Sequence, residues 1–117
     1  MKRIPLTLGA SAALAALVVA APATAATKLI AQVGPGATIT LKKAGKKVTS
    51  LRAGAYTITV QDKSRFHNFS LSGPRLKKST TVGFVGVKTW NVTLRKGKYR
   101  FECVPHAFSM RGSFSVK

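Results

Sequence analysis

Tyr56, Ile58 and Val60 alternate with Thr57 and Thr59. This period of two restricts the chain more than any other feature, because only an extended strand sends successive side chains to opposite faces. Similar short runs, bounded by Gly, Pro and Ser, recur over 37–41, 66–71, 88–94, 99–104 and 112–116. Gly34-Pro35-Gly36 and Ala44-Gly45-Lys46-Lys47 read as turns between them. After residue 25 no stretch sustains the spacing of an amphipathic helix. About seven or eight short strands with turns at this spacing predict an all-β protein folded as a Greek-key β-sandwich.

The first residues follow different rules. Lys2 and Arg3 precede an apolar run from Leu6 to Ala21, and the small residues Ala23, Thr24 and Ala25 follow. This is the layout of a secretory signal peptide, which assigns 1–25 to the leader and 26–117 to the folded domain. The run is short and Ala-rich for a membrane span, so a retained anchor is the lesser alternative. An exported product is therefore expected, in a periplasm or outside the cell and associated with its wall.

Charge narrows the partners. Of the 20 Lys and Arg, Lys2 and Arg3 belong to the leader, so 18 remain against Asp62 and Glu102, a net charge of about +16. Such a field favours an acidic redox partner protein or an anionic cell-envelope surface, with association that weakens as salt rises. Nucleic acid is not expected, since neither a recognition helix nor basic residues interleaved with exposed aromatics are visible. A monomer is expected.

Cys103 is the only cysteine, so it has no disulfide partner within the chain. In an oxidising compartment such a thiol is buried and inert, paired between chains, or bound to a metal as thiolate. Strand parity favours the last. Tyr99, Phe101 and Cys103 share one face of their run, and His67 shares its phase with Phe69 and Leu71, so both donors are directed inward. His106 and Met110 lie in the loop that follows Cys103. Two imidazoles and one thiolate with a weak thioether are the ligand set of a blue-copper site: sulfur favours Cu(I), and imidazole suits both oxidation states. Zinc has little use for the methionine. A haem attachment motif would need a second cysteine.

The sequence His67-Asn68 followed downstream by Cys103-Val104-Pro105-His106 and Met110 resembles the plastocyanin and azurin class of cupredoxins. It is most similar to small secreted bacterial plastocyanin-like proteins in His67-Asn68-Phe69, Ser72-Gly73-Pro74 and Arg111-Gly112-Ser113-Phe114. The resemblance covers nearly all of 26–117. It implies one type 1 copper ion held by His67, Cys103, His106 and Met110, with Asn68 tying the two ligand-bearing loops together. It also implies a docking patch around His106, here Pro35, Pro74, Pro105, Ala107 and Phe108, ringed by basic residues. Met110 follows His106 by four residues, as in azurin-like loops, where plastocyanin usually has five; Phe66 stands where plastocyanins often carry proline.

The leading expectation is thus a carrier of single electrons between partners outside the cytoplasm. An exported protein that buffers or delivers copper is the alternative, although the Met-rich or His-rich tracts suited to handing metal on are missing. A metal-free sandwich bound to anionic wall polymers is the third. An enzyme is not expected, because two carboxylates and a filled ligand set leave no obvious acid–base pair or open metal position.

Overall fold

Alternating apolar residues can be buried only if two sheets face each other, and this is how the chain folds. The structure, a computed structural model, describes residues 2–5, 9–16 and 25–117. Residues 2–5 and 9–16 are exposed and carry neither helix nor strand, and the rest of the expected leader, 1, 6–8 and 17–24, lies outside the described residues. Among the described residues no helix is long and apolar enough to cross a membrane.

The described residues form ten strands: β1 (Thr27–Val33), β2 (Ile39–Lys43), β3 (Lys46–Lys47), β4 (Ser50–Leu51), β5 (Gly54–Asp62), β6 (Ser70–Gly73), β7 (Leu76–Ser79), β8 (Gly86–Leu94), β9 (Gly97–Glu102) and β10 (Arg111–Val116). They make two five-stranded sheets, β3-β2-β1-β5-β8 and β4-β10-β9-β6-β7. Both are mixed, because β1 runs parallel to β5 and β4 parallel to β10. The chain changes sheet on entering and leaving β4, between β5 and β6, between β7 and β8 and between β8 and β9, as a Greek-key sandwich requires.

The inward residues do what the alternation predicts. Tyr56, Ile58, Val60 and Asp62 of β5 are buried while their neighbours are not, and Trp90, Val92 and Leu94 of β8 repeat the pattern. Phe69 joins the sheets, stacked on Phe101 with ring centroids 5.5 Å apart and tilted against Trp90 at 6.1 Å. Tyr99 lies against the backbone of Gly73, and Phe101 against that of Gly112, so a β-carbon at either glycine would collide with the ring. These contacts fix β9, the strand that leads into Cys103, between its two neighbours.

Two expectations about strands need correction. Residues 66–69 do not belong to a strand, since β6 starts only at Ser70. His67, Asn68, Phe69 and Ser70 are all buried, which no half-exposed strand allows. Strand β9 ends at Glu102, one residue before Cys103, which caps a 3-10 turn over Val104–His106. The extra strands β3, β4 and β7 are short pieces of two to four residues along the sheet edges, where polar sequence leaves no alternation to read.

The strands define two poles. Val33, Asp62, Gly86, Ser70, Glu102 and Arg111 mark one end by their pairing, and the turns after them carry the loops 34–38, 63–69, 80–85 and 103–110. The other end is marked by Thr27, Gly54, Leu94, Gly73, Gly97 and Val116.

Candidate metal centre

All the donor residues expected from sequence lie on loops at the first pole. Asp62 shapes the loop that carries His67: its Oδ1 accepts the Ser64 amide at 2.9 Å, and the Ser64 carbonyl then accepts the amide of His67 at 3.4 Å. Cys103 continues the parity of β9 and is fully buried. Cys103 leads into the 3-10 turn Val104–His106, which holds Pro105 in its first turn, where a missing amide costs no helical hydrogen bond, and the His106 amide donates to the Cys103 carbonyl at 3.0 Å. Met110 closes the loop on both, its amide donating to the His106 carbonyl at 2.9 Å and its carbonyl accepting the Cys103 amide at 3.0 Å. Its side chain is buried.

The three strong donors converge. His67 Nδ1 and His106 Nδ1 are 3.0 Å apart, and each is 3.6 Å from Cys103 Sγ. A triangle with these sides has one point about 2.0 Å from every corner, the length of a bond from a first-row metal to imidazole and slightly less than one to thiolate. The two rings meet edge to face, with centroids 4.7 Å apart and planes at 74°, so both Nδ1 atoms turn toward one centre without the rings stacking. Soft sulfur with two imidazoles in a trigonal arrangement is the donor chemistry of a type 1 copper ion, and the residues present fit it.

Asn68 ties together three segments around these donors. Its Oδ1 accepts the Val104 amide at 2.8 Å, and its Nδ2 donates to the Thr80 carbonyl at 3.0 Å and to Ser79 Oγ at 3.1 Å. One buried side chain thus joins the His67 loop, the end of β7 and the Cys103 loop. The Asn68 amide also donates to Cys103 Sγ at 3.4 Å, a bond of the kind that tunes a metal thiolate. Thr80 completes the tie, its Oγ1 accepting the Phe69 amide at 2.9 Å. Sequence reasoning missed Ser79 and Thr80, because only the pairing of β6 with β7 brings them beside Asn68.

Asp62 is the other residue that was missed. It is 2% exposed, and its Oδ2 has no hydrogen-bond partner among the described residues. Burial pushes its carboxyl above the ordinary range, against the weaker opposing effects of the Ser64 amide and the nearby His67.

Around the triangle the surface is apolar. His106 is exposed although its Nδ1 faces inward, and Pro105, Phe108 and Pro35 are exposed at the same pole, with Ala107 half-buried beside them. Phe108 is 97% exposed and Phe66 70%, so Phe66 joins the expected patch. Pro74 does not. It lies in the β6–β7 turn at the opposite pole, covering Gly97, where its carbonyl accepts the Tyr99 hydroxyl at 3.2 Å. The expected ring of basic residues is also thin here: Lys63, Arg65 and Arg111 are exposed near the site, but Asp62 and Glu102 are at the same pole.

No known protein family and no curated protein matches the chain by sequence. Solved structures do match by shape. One is a copper protein, rusticyanin, at 17% identity and a TM-score of 0.58, covering 77% of this chain and 76% of that one. A histidine variant of rusticyanin matches at 22% identity and a TM-score of 0.59, with the same coverage of 77% and 76%. An oxidized variant of amicyanin matches at 16% identity and a TM-score of 0.51, over 76% of this chain and 81% of that one. The chain has the cupredoxin fold, and its His67, Cys103 and His106 cluster is placed to hold one metal ion.

Proposed function

We propose that the protein is an exported blue copper protein that carries single electrons between redox partners, without catalysing a reaction of its own. The observation that carries this reading is the triangle of two ring nitrogens and one buried sulfur beside an exposed histidine. Copper bound there would supply one-electron redox chemistry. Met110 is proposed as the weak fourth ligand, since its backbone is tied to both Cys103 and His106 and its side chain is buried in the same loop.

The protein's own residues supply rigidity and access. Asn68, with its bonds to three segments, holds the donors in place whatever the charge at the centre, and little rearrangement favours fast exchange. His106 provides the route outward. Phe66, Val104 and Phe108 offer a dry contact area around it, suited to a partner that docks weakly and leaves quickly. Lys63, Arg65 and Arg111 at its rim would add attraction toward an acidic partner.

The test is to mix the copper-loaded, ascorbate-reduced chain with an oxidised soluble c-type cytochrome and, separately, with a metal-free copper acceptor. The proposal predicts rapid reduction of the cytochrome and retention of copper. Slow exchange together with ready transfer of the metal would overturn it in favour of copper delivery.

A further inference from the structure

Eight exposed cations gather at the pole away from the metal centre. The β2–β3 hairpin carries Lys43, Lys46 and Lys47, and Arg52 and Lys117 adjoin it where the Ala53 amide donates to the Lys117 carbonyl. Across the same end, the β6–β7 turn holds Arg75 and the β8–β9 turn holds Arg95 and Lys96. All of these are exposed. No Asp or Glu lies among them, since Asp62 and Glu102 are both at the metal pole. Three adjoining shallow concavities mark this end, sharing Lys43, Arg52 and Tyr56 in their walls.

Distance separates this charge from the metal site. Strand β5 runs from pole to pole with 9 residues, which spans about 25–30 Å. The Debye length at physiological salt is about 8 Å, so the basic pole contributes little to steering a partner toward His106. A dense cationic surface, free of carboxylate side chains and remote from the site, calls for a different anionic contact.

We infer that the basic pole docks on an anionic lipid bilayer and holds the protein with its metal centre turned away from the membrane. Two observations select a bilayer. Three hairpins and turns from both sheets bring their cations to one end of the sandwich, which suits a broad face of phosphate headgroups. The chain also enters the fold at this pole: Ala25 lines a concavity with Arg52 and Tyr56, and β1 begins at Thr27. The apolar stretch from Leu6 to Ala21 is therefore joined to the protein at its basic end.

The test uses the full chain and needs no metal. Binding is measured by co-sedimentation with vesicles of phosphatidylcholine alone and of phosphatidylcholine with phosphatidylglycerol, at physiological salt. Wild type is compared with the variant K43Q/K46Q/K47Q/K96Q and, as a control, with K63Q/R65Q/R111Q. Each lysine lost from the surface is expected to weaken anionic-vesicle binding roughly fivefold, so the four-lysine variant binds more than a hundredfold more weakly. The metal-pole variant should stay within about threefold of wild type, because its charges face away. Equal binding to both vesicle types, equal loss in both variants, or no loss in the four-lysine variant would each overturn the inference. So would release of the protein from vesicles by soluble poly(glycerol phosphate) at a matched phosphate concentration, which would make a wall polymer the partner instead. C103S should bind vesicles as wild type does, so failure of the copper reading leaves this result standing.

Discussion

The two poles are built from the same strands and serve opposite ends. At the metal pole, long loops fold back over the sheets, bury polar groups and expose aromatic rings; Asn68 alone makes three side-chain hydrogen bonds there. At the basic pole the connections are short turns that bury almost nothing and display cations. The difference shows how a small sandwich separates its tasks. A site that must not rearrange needs its donors overdetermined by contacts, whereas a surface that meets an anionic face needs only charge in quantity. Because the strands keep the two apart, changes at one end should leave the other intact.

The largest effect expected from a single substitution is that of C103S. It removes the soft donor, so the intense visible absorption of the copper-loaded protein should vanish and copper affinity should fall by more than a hundredfold, beyond the range of outer-shell changes. Vesicle binding should not change. A coloured C103S protein, seen by visible spectroscopy and competitive titration, would remove the thiolate from the account.

N68A comes next. It leaves the Val104 amide without its partner and the Thr80 carbonyl with only the Ser79 hydroxyl, and should destabilise the metal-free protein by about 1–3 kcal/mol in urea unfolding. Copper affinity should drop by roughly ten- to hundredfold. If stability were untouched, the loops of this pole would not be held as described.

D62N probes the buried carboxylate behind the His67 loop. Burial raises the Asp62 carboxyl above its ordinary value of 3.8 in the folded protein, so the proton is bound more tightly in the folded state than in the unfolded one. Its favourable contribution is full below about pH 3.8 and is lost as pH rises through the higher folded value. The melting temperature of metal-free wild type minus that of D62N should therefore fall as pH is raised from 3.5 to 7, and a difference that rises would contradict the burial.

The smallest effect on stability is expected from F108A. A residue 97% exposed should shift unfolding by no more than about 0.5 kcal/mol. Electron exchange with a partner should nonetheless slow several-fold, because Phe108 is exposed two residues from His106 in the same loop; an unchanged rate in stopped-flow mixing would move the docking face elsewhere.

Much of this organisation was legible in the sequence. Tyr56 to Val60 and Tyr99 to Cys103 announced their strands because one face of each is buried and the other is not, and Cys103 kept its parity one residue past the end of β9. His67 was correctly placed inside, but for the wrong reason: it is covered by loops, and its neighbours Asn68 and Phe69 are buried as deeply. Pro74 was misplaced, because its proximity in sequence to His67 and Asn68 hides a strand that carries it to the far pole. The separation of charge was equally invisible. Lysines at turns look alike in sequence, and only the pairing of the strands decides which end of the sandwich each turn occupies.

The central claim is that two ring nitrogens and one sulfur share a single copper ion, and titration of the metal-free chain with Cu(II) under visible spectroscopy tests it most directly. One equivalent should produce an intense blue band that ascorbate bleaches. Stoichiometric uptake without colour, or no saturable uptake at all, would contradict it.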